Sequence, residues 1–96
     1  MKIVFLGSSY FSIPTFIKLI EAGHEIACVY SQPPRRSGRG KRVSVTPVHE
    51  RALKYGIPVR TPDSFKSEED KSIFFNINAD LSVVVAYGLI LPPEIL

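Results

Sequence analysis

The sequence has a single cysteine and no long apolar run. One cysteine excludes an internal disulfide, and the position of Cys28 inside the apolar stretch EIACVY predicts a buried, inert thiol. The first apolar run stops at Gly7, too early for a secretory signal peptide, and no segment is long enough to span a membrane. We therefore expect a cytoplasmic protein.

Residue clusters that could perform chemistry are also scarce. The two histidines, His24 and His49, stand far apart, so we expect no metal site and assign both to structural roles. Serine, histidine and acidic residues are scattered over different edges of the predicted fold, which argues against a catalytic triad. We therefore assign no catalytic residue and no metal ligand.

Acidic residues are absent between Glu25 and Glu50, and the basic segment, residues 31–42 (SQPPRRSGRGKR), lies inside that gap. Its five cations are Arg35, Arg36, Arg39, Lys41 and Arg42. Such a local positive field favours a polyanionic or phosphorylated partner, because guanidinium groups make bidentate phosphate contacts. A solvated, disordered linker is the alternative for a Gly/Pro/Ser/Arg-rich segment.

Apolar runs alternate with helical patterns along the chain. Strands are predicted at residues 2–6, 25–30, 57–60 and 81–86. Helices are predicted to begin at Ser12, Thr46 and Ser67, and Gly23 and Gly56 stop the first two. Candidates for buried helix positions are Val48, Leu53, Ile73, Phe74 and Ile77.

This alternating order of strands and helices predicts a parallel sheet, because short links force right-handed crossovers. We expect an α/β fold with one domain over residues 1–96. It is a truncated Rossmann-like sheet of about four strands, in the order 3-2-1-4, with helices on both faces.

Ligands bind such sheets beyond the carboxyl ends of the strands, where the strand order reverses. Here the loop 7–11 (GSSYF) and the segment 86–91 (AYGLIL) meet at that point, with the basic segment on the same edge. The loop could hold an anion or form only a tight turn, and Phe11 could be a core residue. The segment 86–91 could pair its backbone with a flat heterocycle or simply belong to the core.

Several pieces of the sequence resemble, in order and spacing, the N-terminal part of the methionyl-tRNA formyltransferase family. They are KIVFLG, EAGHE, SQPPRRSGRGKR, TPVHERALKYGIPV and DLSVVVAYGLILP. The most specific piece is Q-P-x-R-x-x-G-R-G-K in the basic segment. The resemblance implies an enzyme that transfers a formyl group from 10-formyltetrahydrofolate to the amino group of methionyl-initiator tRNA in translation initiation.

The resemblance also implies roles for individual residues. Gly7, Ser8 and Phe11 would bind substrate, with Phe11 beside the methionyl side chain. The basic residues would enter the tRNA acceptor stem, where Arg39 helps to sense the unpaired end. The backbone that holds the pterin of the folate would come from Ala86, Tyr87, Gly88, Leu89, Ile90 and Leu91.

The chain departs from the family pattern at two places. Ser8 to Phe11 replaces a pattern that carries an acid, and Pro34 and Arg36 replace the usual aspartate and proline. The second change makes the basic segment more cationic. It leads to the hypothesis of tighter but less discriminating RNA binding.

The catalytic Asn-x-His-x-Ser segment of the family, its later aspartate and its C-terminal tRNA-binding domain would lie beyond Leu96. We therefore expect the 96-residue chain to be the incomplete N-terminal portion of a catalytic domain, inactive alone. The alternatives are a non-catalytic RNA-binding module and a sugar-nucleotide formyltransferase, which the G-R-G-K motif disfavours. An open edge at residues 83–85 would promote strand-edge self-association.

Overall fold

The computed structural model of the chain describes residues 1–37, 42–89, 91–93 and 95. Its strands are β1 (Lys2–Gly7), β2 (Glu25–Tyr30), β3 (Arg35–Ser37), β4 (Arg42–Ser44), β5 (Val59–Arg60) and β6 (Leu81–Val85). Its helices are α1 (Ile13–Glu21), α2 (Pro47–Lys54) and α3 (Glu68–Asn76), and a 3-10 turn (Tyr10–Ser12) precedes α1. None of the helices in this part of the chain has the length and apolar character needed to cross a membrane.

The main sheet has four parallel strands in the order β5-β2-β1-β6. This is the predicted order 3-2-1-4, since β3 and β4 form a separate pair. In its register Leu6 of β1 lies between Tyr30 of β2 and Val84 of β6. The predicted Rossmann-like α/β fold is therefore confirmed.

Helices cover both faces of the sheet, which explains why β1 is apolar at consecutive positions. On one face Phe5 packs against Phe16 of α1, with ring centroids 5.3 Å apart, and α2 adds Val48 to the same cluster. On the other face Leu6 belongs to the cluster that contains Phe74 of α3. Burial of each such side chain contributes about 1.5–3 kcal/mol.

The buried face of α2 differs from the prediction. Leu53 is 58% exposed, so its predicted inward position is wrong, and Ala52 is fully buried instead. Thr46 caps the helix at the predicted position, by accepting from the backbone N–H of His49 at 3.1 Å, so the difference lies in the spacing of the side chains. Val48 and Ala52 then lie four residues apart on one face, while Leu53 points about 100° away.

Helix α1 begins directly after Ser12, as predicted, but the hydroxyl of Ser12 does not cap it. Ser12 occupies the N-cap position of α1 but its side chain makes no capping hydrogen bond. The Oγ atom donates instead to the carbonyl of Val85 at 2.5 Å. The hydroxyl therefore joins α1 to the end of β6 rather than closing the helix.

The basic segment contains regular structure that was not predicted. Strands β3 and β4 pair antiparallel, with Arg35 opposite Ser44 and Ser37 opposite Arg42. We call the paired strands β3 and β4 together the basic hairpin. The interpretation as a linker without structure is wrong for these strands, because backbone pairing provides the order that the side-chain pattern did not indicate.

Candidate functional site

The loop after β1 and the segment after β6 meet at the carboxyl edge of the sheet, as predicted. The backbone N–H of Ser8 donates to the carbonyl of Ala86 at 3.2 Å. The carbonyl of Ser8 accepts from the N–H of Val48 in α2 at 3.3 Å. Ser8 therefore connects β1 with β6 and with α2.

The side chain of Ser8 is buried and fully engaged. Only 6% of the residue is exposed. Its Oγ donates to the carbonyl of Tyr87 at 2.7 Å and accepts from the backbone N–H of Gln32 at 3.0 Å. A buried hydroxyl requires such partners, so the local role of Ser8 is to fix the surrounding loops.

Two further buried serines at this edge, Ser12 and Ser31, make contacts that were not predicted from the sequence. Ser12 donates to the carbonyl of Val85, and Ser31 shares a short hydrogen bond with Thr46, the residue that caps α2. The backbone N–H of Ser31 donates to the carbonyl of Arg60 at 3.1 Å. The only indication in the sequence was their position, since Ser31 comes directly after β2 and Ser12 directly before α1.

Gly7 allows the end of β1 to approach the turn before α1. A Cβ atom at this position would lie 2.7 Å from Cε2 of Phe5 and 2.9 Å from Cβ of Ser12. Both neighbours are fully buried and cannot move away easily. Gly7 therefore shapes the site by omitting a side chain.

Residues 85–88, which we call the tied segment, have unusual backbone geometry. Ala86 has a φ of +50° and Gly88 a φ of +91°. For Ala86 this left-handed conformation costs about 1–2 kcal/mol. The carbonyls of Val85, Ala86 and Tyr87 accept hydrogen bonds from Ser12, Ser8 and Gln32, which hold the strained backbone in place.

These bonds change what the segment can offer to a ligand. We expected exposed carbonyl groups that could pair with a heterocycle, but the carbonyl of Tyr87 already accepts from Ser8 and from Nε2 of Gln32. Its ring is buried in the core, where burial raises the pKa of the phenol to about 12. Tyr87 therefore contributes backbone geometry rather than its side chain.

An apolar cavity of about 500 Å³ opens beside the tied segment. Gly88, Leu89 and Pro92 form one wall. The opposite wall comes from the loop after β5, and its residues are Asp63, Ser64, Phe65 and Lys66. The volume lies within the range of small-molecule pockets. The loop after β5 was missed from the sequence, although it leaves the sheet at the same edge.

Phe11 and Tyr10 form an exposed aromatic pair in the 3-10 turn before α1. Phe11 is 85% exposed and Tyr10 is 77% exposed. The interpretation of Phe11 as a core residue is therefore wrong. Both rings are available to a ligand that approaches this edge of the sheet.

The predicted nucleic-acid residues are only partly described. The backbones of Arg35, Arg36 and Arg42 belong to the basic hairpin. Arg39 and Lys41 lie outside the described residues, as does Ile90 of the predicted pterin segment. The hydrogen bond between Ser31 and Thr46 closes the base of the hairpin beside the tied segment.

Comparison with known proteins gives the family. The family model for formyl transferase matches residues 1–96. The chain belongs to the formyl transferase family. The resemblance noted from the sequence is thereby confirmed.

Methionyl-tRNA formyltransferases from several bacteria match this formyl transferase chain over its whole length. The protein from Paramagnetospirillum magneticum is 55% identical over 96 residues, and 32% of its own length is covered. The protein from Sinorhizobium fredii is 54% identical over 97 residues, with 31% covered. The protein from Roseobacter denitrificans is 54% identical over 96 residues, with 32% covered. The chain thus spans about a third of the length of these relatives.

The remaining titratable candidates of this formyl transferase chain lie within packed structure. Cys28 is 4% exposed, as predicted, and burial is the main cause that raises its pKa. His49 lies in α2, where burial lowers its pKa and favours the neutral ring. Within the described residues, no group of three or more His, Cys, Asp and Glu side chains could hold a metal ion.

Proposed function

We propose that the chain is the N-terminal portion of the catalytic domain of a methionyl-tRNA formyltransferase. The observation that carries this proposal is the identity of 54–55%, over the whole chain, with relatives of that name. The reaction moves the formyl group of 10-formyltetrahydrofolate to the amino group of methionyl-initiator tRNA. Such a role in translation initiation belongs to the cytoplasm.

The formyl donor is proposed to lie against residues 86–91. The cavity beside Gly88 and Leu89 supports this position, because its apolar walls suit a flat heterocycle. The left-handed backbone at Ala86 and Gly88 sets the course of the segment past the cavity. Leu91 and Ile90, which lies outside the described residues, complete the proposed set.

The tRNA substrate is proposed to approach from the side of the basic hairpin. Arg35, Arg36, Arg39, Lys41 and Arg42 would contact phosphates of the acceptor stem, and binding should weaken as salt rises. Gly7 and Ser8 shape the loop that carries Phe11. The exposure of Phe11 supports a contact with the methionyl side chain.

The test is a chimaera that joins this chain to the remaining two-thirds of the relative from P. magneticum. The 96-residue chain alone should form no formyl-methionyl-tRNA, whereas the chimaera should form it from 10-formyltetrahydrofolate. Acid gel electrophoresis of the tRNA measures the product. A folded chimaera that binds tRNA but transfers no formyl group would favour the alternative, a non-catalytic RNA-binding module.

We also propose that the isolated chain self-associates at β6. This strand pairs with β1 on one side, and no described strand pairs with its other side. Leu81 and Val84 are 48% and 45% exposed there, so the edge offers unpaired backbone together with apolar surface. Light scattering should show dimers for the chain and monomers for Val84→Lys. Val45→Lys, at another exposed valine, should still dimerise; dimers of Val84→Lys would contradict the proposal.

A further inference from the structure

A polar network with two buried serines at its centre lies between the base of the basic hairpin and the tied segment. Ser31 bonds to Thr46 and donates to Ser8 Oγ at 3.4 Å, while Ser8 Oγ donates to the carbonyl of Tyr87 at 2.7 Å. Ser8 and Ser31 are 6% and 0% exposed. A buried donor or acceptor that loses its partner costs free energy. The position of each side chain in the network therefore depends on the positions of the others.

Gln32 is the member that contacts both regions directly. Its backbone N–H donates to Ser8 Oγ at 3.0 Å, and its side-chain Nε2 donates to the carbonyl of Tyr87 at 3.0 Å. Gln32 also lies three residues before Arg35, where the first strand of the basic hairpin begins. Any displacement of the hairpin base therefore moves the residue whose side chain holds the tied segment.

The side chain of Gln32 also fits over Gly88. A Cβ atom at position 88 would lie 1.8 Å from Nε2 of Gln32, and the φ of +91° at Gly88 is one that residues with side chains rarely adopt. The amide of Gln32 therefore occupies the space that a side chain at 88 would need. Each of the two residues therefore limits the conformations of the other, beside the cavity wall that Gly88 and Leu89 form.

We propose that Gln32 is a positioning residue that couples the basic hairpin to residues 86–89. Because coupling is reciprocal, a ligand on the hairpin changes the state of the cavity wall, and a ligand in the cavity changes the hairpin. The identification of these ligands as RNA and a heterocycle rests on the proposed function. The coupling itself is a property of this chain and can be measured without either ligand.

The first measurement is amide hydrogen exchange of the full chain by NMR. Gln32→Met keeps the length of the side chain and the backbone bond to Ser8 but removes the amide donor. Exchange at Gly88 and Leu89 should become about fivefold faster, the factor expected for one net hydrogen bond. Asn76→Leu removes an exposed amide from α3 and is the matched control, which should change neither region.

The second measurement reverses the direction of the perturbation. Gly88→Ala places a methyl group where the amide of Gln32 lies, so exchange at the backbone amides of Val43 and Ser44 should change. In the Gln32→Met background the same substitution should have no further effect on the hairpin. An unchanged rate at 86–89 in Gln32→Met overturns the coupling, and that variant decides the question if Gly88→Ala does not fold.

Addition of a short RNA hairpin distinguishes failure of the coupling from failure of the proposed function. Bound RNA should alter exchange at Gly88 and Leu89 in the wild type and leave it unaltered in Gln32→Met. Equal responses in the two proteins would overturn the coupling while RNA binding stands. Absence of binding to the wild type would contradict the proposed role of the basic segment, and the ligand-free comparison would still decide the coupling.

Discussion

The tied segment and the basic hairpin lie at the same edge of the sheet but are held in different ways. Consecutive carbonyls of the tied segment accept hydrogen bonds from neighbouring loops, and much of this contact is buried. The hairpin is built by pairing between its own strands, and Ser31, Gln32 and Thr46 attach its two ends to the domain. Substitutions in the tied segment should therefore change the free energy of unfolding. Substitutions in the basic hairpin should instead change the salt-dependent binding of a polyanion.

The largest expected effect comes from filling the space beside the tied segment. Gly7→Val would push a branched side chain against Phe5 and Ser12, both fully buried. We expect a loss of about 3 kcal/mol in the free energy of unfolding, measured by urea denaturation. Gly56→Ala is the control, because φ is +70° there but the space is open, and backbone strain alone costs about 1 kcal/mol. Equal losses in the two variants would show that the contact at Gly7 is unimportant.

Alkaline pH should lower the free energy of unfolding through the phenol of Tyr87 in the tied segment. Burial raises the pKa of its phenol to about 12, whereas an unfolded chain titrates near 10. Above pH 10 the unfolded state loses its proton while the folded state keeps it. The stability that is present below pH 10 is therefore lost as the pH rises towards 12. One pKa unit corresponds to about 1.4 kcal/mol, so the full loss from Tyr87 is about 2–3 kcal/mol.

Tyr87→Phe should remove this part of the alkaline loss. The phenol oxygen has no hydrogen-bond partner among the described residues, so the substitution should cost little near pH 7. Tyr55→Phe, at a ring that is 48% exposed, is the matched control. Urea unfolding at pH 9 and pH 11.5 measures the difference. An unchanged alkaline loss in Tyr87→Phe would contradict the assignment to this residue.

Ser12→Ala tests a single bond of the tied segment. It removes the donor to the carbonyl of Val85 from a fully buried position, and we expect a loss of about 1–2 kcal/mol. Ser72→Ala, at an exposed position of α3, should change the free energy of unfolding by less than about 0.5 kcal/mol. If the two substitutions have equal effects, hydrogen bonds of this kind are not what holds the segment.

The main sheet could be predicted because its strands are defined by local pattern. Residues 2–6 are apolar throughout after Lys2, and both faces of β1 are covered, as such a run requires. The shortened third strand shows the limit, since only Val59–Arg60 of the predicted residues 57–60 pairs with β2. The hairpin was missed because Arg35–Ser37 carries no apolar alternation that would indicate a strand.

The site was predicted in position but not in its contacts. The reversal of strand order placed Ser8 next to residue 86 correctly. The bonds that define the site join residues far apart in sequence, 79 positions for Ser8 and Tyr87 and 55 for Gln32 and Tyr87. A hydroxyl or amide has no local signature for such a partner. Its role emerges only when packing has brought the loops together.

The smallest expected effect concerns RNA discrimination by the basic segment. Pro34→Asp combined with Arg36→Pro introduces the residues that the family resemblance implies at these positions and lowers the net charge by two. Filter binding across a salt series should show weaker binding of both initiator and elongator tRNA, with a ratio a few-fold more in favour of the initiator. Lys54→Asp, on the exposed side of α2, makes an equal change in net charge away from the hairpin. This substitution should slightly weaken the binding of both tRNAs and leave the ratio of their affinities unchanged. Equal discrimination by the wild type and the double variant would show that Pro34 and Arg36 do not set specificity.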